Sequence, residues 1–385
     1  MKTNFPIEKL SKLDTPFYYY DTALLQETLD TINREAGKYE GYHVHYAVKA
    51  NANNRILKQI EANGLGCDCV SGGEIQAALD AGFAPGKIVY AGVGKSDREI
   101  NLGLDADIFC FNVESVAELE VIEELAAAKN KVARIALRIN PDVDANTHHY
   151  ITTGLNENKF GISLELLDQV VERVKTLNHI ELVGLHFHIG SQLLDLTPYE
   201  ALCSRINELQ DQFEAKGIKL TVINVGGGLG IDYVNPDENP IPDFARYFAI
   251  FNDNLKLRPG QEVHFELGRS VVCQCGSLIT KVLYVKEGVN KKFVIVDAGM
   301  SDLIRPALYG AHHVIQNLTS DASVEVYDVV GPICESSDCF GKAEELPQTK
   351  RGDLYALRSA GAYGEIMACQ YNCRMLPKAV YSDEI

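Results

Sequence analysis

No stretch of the 385-residue chain approaches the roughly 18 consecutive apolar residues that a membrane-spanning helix needs. The opening residues, MKTNFPIEKLSKLDTPFYYY, also lack the apolar segment of a secretion signal, so a cytoplasmic protein is expected. Basic charge is short as well: 36 Lys and Arg stand against 53 Asp and Glu, for a formal net charge of −17. With no basic run either, such a surface repels a phosphate backbone, and nucleic acid is not an expected partner. Cysteine is too sparse for a disulfide scaffold, at ten in the whole chain, and without a secretion signal the thiols are expected to be reduced. Cys67/Cys69 and Cys273/Cys275 are C-x-C pairs rather than C-x-x-C knuckles, so no metal site is expected.

What is there is enough apolar material, 46% of residues, to bury a sizeable core. The length predicts two domains, or one large barrel with an appendage. Short β-rich runs recur along the first two thirds: HVHYAV at 43, GCDCV at 66, KIVYAG at 87, DIFCFN at 107, ARIALRIN at 133, ELVGLHFHIG at 181, TVINVGGG at 221 and EVHFELGR at 262. Between them lie segments of helical period such as NRILKQIEANG and SVAELEVIEELAAAKN, several closed by a glycine, among them Gly64, Gly82 and Gly217. Eight alternating units predict a parallel (β/α)8 barrel, with an open doubly wound sheet as the alternative. After about residue 270 the helical period fades and alternating strands take over, which predicts an antiparallel β domain that TPFYYYD joins as an extra strand. The expected division is a barrel over 21–265 and a β domain over 266–385 together with 1–20.

Barrel enzymes place their chemistry at the C-terminal ends of the strands. Here the first strand ends in Lys49, the second in Asp68 and Ser71, the fifth in Arg138 and Asn140, and the sixth in His186, His188 and Ser191. The seventh ends in Gly226, Gly227 and Gly228, and the eighth in Glu266 and Arg269. Any one of these alone is usually a solvent-facing residue, but together they converge on one mouth. The run NVGGGLGIDY has G-x-G-x-G spacing and follows the seventh strand, so it does not fit a dinucleotide fingerprint. Bare backbone N–H groups there form an anion nest, with an unliganded glycine turn as the alternative. A phosphate nest, an arginine, a strand-end lysine and a carboxylate match pyridoxal phosphate. In that match Lys49 is the nucleophile joined to the cofactor, and the carboxylate keeps the pyridine nitrogen protonated.

YAVKAN, HFHIGSQ, NVGGGLGIDY, ELGR, DAGMSDLIRPALYGAHH, GPICESSD and GAYGEIMACQYN occur in that order. From about residue 15 to 380 the chain resembles the diaminopimelate decarboxylases, which pair an alanine-racemase-like barrel with a β domain. The resemblance implies that Lys49 carries the cofactor and that His188 stacks on its ring. It implies that Ser191, Gly226, Gly227, Gly228 and the backbone of Gly268 and Arg269 hold the phosphate, and that Glu266 faces the pyridine nitrogen. It further implies that Arg269, Arg305 and Tyr309 hold substrate carboxylate, that Glu335 binds the distal ammonium, and that Tyr363 lies near both cofactor and substrate. The segment of Cys334 and Glu335 would enter the neighbouring subunit's site, which implies a homodimer with shared active sites.

The reaction so implied removes CO2 from meso-2,6-diaminopimelate and leaves L-lysine, with Cys334, or water it positions, returning a proton; a small buried thiol is the alternative for Cys334. Arg305 suits a substrate with an acid at both ends, a salt-bridged structural arginine being the alternative. Leu267 stands where the family usually has proline, and Glu365 where an aromatic is commoner. A decarboxylase for another basic amino acid or a carboxylated polyamine, a racemase, and a cofactor-binding regulator are the rival functions. NENKFGIS, residues 156–163, is the expected lid over substrate.

Overall fold

The structure, a computed structural model, describes residues 5–143 and 159–385. The chain divides into two compact units, one of Leu29–Gly230 with Asp243–Gly268, the other of Met1–Thr28, Ile231–Pro242 and Arg269–Ile385. No helix among the described residues is long and apolar enough to cross a membrane.

Strand β1 (Phe17–Tyr20) belongs to the second unit. The first unit is a closed barrel of eight parallel strands in sequence order: β2 (Tyr42–Ala47), β3 (Gly66–Cys69), β4 (Ile88–Tyr90), β5 (Cys110–Val113), β6 (Ala133–Arg138), β7 (Ile180–His186), β8 (Val222–Asn224) and β9 (Glu262–Leu267). Each coincides with one of the eight apolar runs, and the barrel rather than the open sheet is what forms. The last strand closes on the first, with Tyr42 opposite Val263 and Tyr46 opposite Leu267.

Helix boundaries follow local chemistry. The helix Gly72–Ala81 begins at Ser71, whose Oγ accepts from the Glu74 N–H at 3.2 Å, and stops at Gly82, whose φ of +102° lies in the left-handed region. Alternation on β9 then decides which side chains reach the barrel interior. Phe265 points outward, its ring 4.9 to 5.8 Å from those of Phe248, Phe251 and Tyr247 on the helix Phe244–Asn254. Glu262, His264 and Glu266 therefore share the inward face.

The second unit is a sheet with the path β12 (Ile315–Asn317), β15 (Leu354–Leu357), β10 (Gly276–Glu287), β11 (Lys292–Val296), β13 (Val324–Val330) and β14 (Cys339–Pro347). As TPFYYYD predicts, β1 pairs antiparallel with β10; it also pairs with β16 (Lys378–Tyr381). The expectation of an antiparallel sheet needs one correction. β1–β16 and β11–β13 are parallel pairs. Parallel neighbours need a long crossover, and residues 297–323 between β11 and β13 supply one that no tight-turn signal announces.

Candidate active site

In the barrel unit the strand ends assemble a polar cluster around Glu266. Its Oε1 accepts from Asn112 Nδ2 on β5 at 3.0 Å and from Asn224 Nδ2 on β8 at 2.8 Å, and its Oε2 lies 2.9 Å from His186 Nε2 at the end of β7. Burial alone would push this carboxyl up, but His186, the charge of Lys49 and the Asn224 amide outweigh it and hold Glu266 far below the usual carboxylate range. It is a fixed negative charge in the barrel interior.

Lys49 follows β2 on a single turn, Val48–Ala50, whose flanking residues are buried while the lysine itself is exposed. Gly268 keeps the end of β9 close to that turn, since a Cβ there would meet the Cβ atoms of Ala47 and Ala50 at 3.1 Å. Burial, then the charges of Lys49 and Arg138, lowers His188 well below the ordinary histidine value, so the ring is neutral. Its Nδ1 accepts from the Gly227 N–H at 3.4 Å, which leaves the ring hydrogen on Nε2. Asp68 is buried at the end of β3, and desolvation together with the negative Glu266 raises its carboxyl well above the usual range against the pull of Lys49.

The glycine run is tight for a definite reason. A Cβ on Gly226 would lie 2.2 Å from the Phe187 carbonyl oxygen, and one on Gly227 would lie 1.8 Å from that of Glu266. Gly226 and Gly228 have φ of +71° and +104°. Asn224 Oδ1 accepts from the Gly226 N–H at 2.9 Å, and Tyr199 donates to the Gly227 carbonyl at 3.0 Å. Ser191 sits three residues beyond His188, on the segment where Leu193 N–H reaches the Gly228 carbonyl at 2.9 Å. Of the expected lid, residues 156–158 lie outside the described residues; Phe160 packs on Arg138, 4.8 Å from its guanidinium.

The β unit assembles a second, cationic set. Arg269 Nη1 donates to Tyr233 Oη at 2.7 Å, and its guanidinium lies 4.9 Å from the Tyr363 ring. Arg305 is buried among three aromatic faces, 5.8 Å from Tyr233 and Tyr309 and 5.9 Å from Tyr363. Among the described residues no acidic side chain pairs with Arg305, and its Nε has no hydrogen-bond partner. Tyr363 has φ of +56°, a left-handed conformation that costs a non-glycine residue on the order of 1 kcal/mol or more. Cys334 and Glu335 are both exposed in the single chain. Asp338 shapes their loop, accepting from Ile333 N–H at 2.7 Å and Met300 N–H at 2.6 Å.

Of the two departures from the family pattern, Leu267 is simply a buried β9 residue, and Glu365 accepts from Tyr20 Oη at 2.5 Å. Asn112, Asn224, Asp338 and Tyr233 had no place among the expected site residues. Lone amides, one aspartate and one tyrosine carry no spacing signal, and most of their partners lie tens to hundreds of residues away.

Residues 25–273 match the family model "Pyridoxal-dependent decarboxylase, pyridoxal binding domain". The chain is 64% identical, over the full length of both proteins, to a diaminopimelate decarboxylase of Bacteroides thetaiotaomicron. A mutant diaminopimelate decarboxylase of Helicobacter pylori, solved in complex with L-lysine, superposes with a TM-score of 0.93 at 42% identity, covering 98% of this chain and 94% of that one. A diaminopimelate decarboxylase from M. jannaschii, also solved with L-lysine, gives 0.91 at 35% identity, covering 98% and 89%. By full-length identity and by its matched cofactor domain, the chain belongs to the diaminopimelate decarboxylase family of pyridoxal-dependent decarboxylases.

Proposed function

We propose that this chain decarboxylates meso-2,6-diaminopimelate to L-lysine and CO2, the last step of lysine formation by the diaminopimelate route. The barrel residues fit pyridoxal 5'-phosphate. A carboxylate held ionised by three polar neighbours suits a protonated ring nitrogen, and a glycine loop with no room for a Cβ suits close approach of backbone N–H groups to phosphate. When bound, the cofactor supplies a ring that accepts the electron pair left as CO2 departs.

The chain's own residues would do the rest. Lys49 is the amine that attaches the cofactor, and neutral His188 presents a flat face without adding positive charge. Ser191, Gly226, Gly227, Gly228, Gly268 and Arg269 hold the phosphate end. Arg305, Tyr309 and Tyr363 grip substrate, and Glu335 takes the distal ammonium. The observation that carries the choice of substrate is Arg305, a buried guanidinium ringed by tyrosines with no acidic partner among the described residues. A monocarboxylic substrate leaves that charge unmet once its only carboxylate has been positioned for loss, whereas diaminopimelate brings a second one.

Decarboxylation exchanges one carboxylate for one proton at the same carbon. Cys334, or water it positions, delivers that proton. The family resemblance assigns Cys334 and Glu335, exposed here on a short loop, to a neighbouring copy's site and the protein to a homodimer. In the expected division, residues 21–265 then supply most of the cofactor site, and 266–385 with 1–20 add Glu266, Gly268 and Arg269 to it and supply substrate and dimer contacts.

The test is CO2 release measured on meso-diaminopimelate, ornithine, arginine and carboxynorspermidine, with borohydride trapping followed by peptide mass spectrometry. Release from diaminopimelate alone, with a pyridoxyl adduct on the Lys49 peptide that is absent in Lys49→Ala, is expected. No release from diaminopimelate overturns the substrate assignment, and an adduct elsewhere overturns the role of Lys49.

A further inference from the structure

The inward face of the barrel carries another polar set, toward the N-terminal ends of the strands. The β2–β9 register places His43 opposite His264 and His45 opposite Glu266, with Glu262 two residues before His264 on the same face. Two neighbouring strands thus bring together three imidazoles and a carboxylate.

Hydrogen positions follow from the partners. The Lys87 carbonyl can only accept, so His45 Nδ1, 3.1 Å away, carries a hydrogen. In a neutral ring the His45 Nε2 is then an acceptor, and His264 Nδ1, at 2.9 Å, donates to it. His264 Nε2 lies 3.2 Å from Glu262 Oε2. A contact of that length is bridged by a positive species, either the ring's own proton or a metal ion that displaces it. Nor is the arrangement incidental to the backbone: a Cβ on Gly66 would lie 2.5 Å from both His45 Nδ1 and the Lys87 oxygen, so this glycine makes the slot for the His45 ring.

His43 completes the group from the other side, its Nε2 lying 3.5 Å from Glu262 Oε1. One ligand atom from each of His43, Glu262 and His264 falls within 4.8 Å of the others. Bonds of about 2.0–2.1 Å to a tetrahedral centre set neighbouring donor atoms roughly 3.3 Å apart. His264 Nε2 approaches Glu262 Oε2 at 3.2 Å and His43 Nε2 approaches Glu262 Oε1 at 3.5 Å, so the carboxylate bridges the two imidazoles and a small side-chain adjustment brings the three ligand atoms to that spacing. The His264 Nδ1–H bond to His45 is the outer contact that metal-bound imidazoles make. A cavity of 330 Å³, lined by His43, Glu262 and His264 among others, gives space for a further water ligand.

We propose that His43, Glu262 and His264 form a site for a divalent cation of the zinc class, with His45 positioning His264. Two imidazoles and a carboxylate select such borderline cations over magnesium or calcium. The site straddles the seam where the last barrel strand closes on the first, so the cation fastens the closed barrel and lies outside the decarboxylation chemistry.

The test uses cofactor-loaded protein stripped with a chelator and titrated calorimetrically with Zn²⁺, alongside His43→Ala and Glu262→Gln. Both positions are about half exposed, at 50% and 46%, and circular dichroism checks that the variants are folded. One equivalent per chain is expected, with a raised thermal midpoint and an affinity at least roughly tenfold weaker in each variant. Exposed Cys334, Cys369 and Cys373 are competing ligands, so Co²⁺ spectra accompany the titration. The tight equivalent is expected to show no thiolate charge-transfer band. Absence of saturable uptake, equal affinity in wild type and both variants, or a thiolate band on the tight equivalent overturns the proposal.

Discussion

His313 shows how one side chain imprints a pH dependence on the β unit. Burial, assisted by the positive charges of Arg305, His312 and Arg269, lowers it from 6.5 to about 4 despite its hydrogen bond to the Arg358 carbonyl. The folded state therefore holds the ring neutral at a pH where the unfolded chain protonates it. Stability is full above pH 6.5 and falls as pH drops toward 4, by on the order of 3 kcal/mol at most. Urea midpoints measured between about pH 7.5 and 4.5 are expected to decline in wild type and to decline less in His313→Asn; parallel curves would reject the assignment. At this scale the sequence is legible where polar residues and glycines gather at strand ends. Lys49, His188, the glycine run and Glu266 are found by asking what each strand ends with. It is silent where a residue matters through a distant partner, as with Asn112 and Asn224 on Glu266, Tyr233 on Arg269, or the inward-facing His43, Glu262 and His264.

Among the elements, β9 has two faces with separate tasks. Its outward Phe265 anchors the helix Phe244–Asn254, and its inward Glu266 holds charge. Phe265→Ala is expected to cost about 3–5 kcal/mol, read as a lowered denaturant midpoint at unchanged slope. A cost below about 1 kcal/mol would show that Tyr42 and Phe248 collapse into the gap. All eight barrel strands are legible because a strand buried on both faces is a continuous apolar run, and helical period between such runs is compatible with few architectures besides a helix-covered parallel sheet. The β unit is less so. Its strand runs are visible, but the β11–β13 pairing joins segments separated by residues 297–323 with no turn signal, and local pattern carries no information about that neighbour.

For the whole molecule, the proposed exchange of the Cys334 and Glu335 loop between copies predicts complementation. Lys49→Ala and Glu335→Ala, each expected to be inactive alone, should regain activity when unfolded and refolded together, because a mixed dimer rebuilds one intact site. If the mixture stays as inactive as its parts, each copy works with its own loop. A net charge of −17 lets such copies meet without collapsing into aggregates.

The pairing of β1 with both β10 and β16 has a consequence for biosynthesis. A ribosome releases Phe17–Tyr20 long before Gly276–Glu287, and longer still before Lys378–Tyr381, so this aromatic ribbon spends most of translation without either neighbour. Nascent chains halted before residue 276 should therefore carry a sticky tetrapeptide that chaperones recognise, and lose that affinity once the later strands emerge.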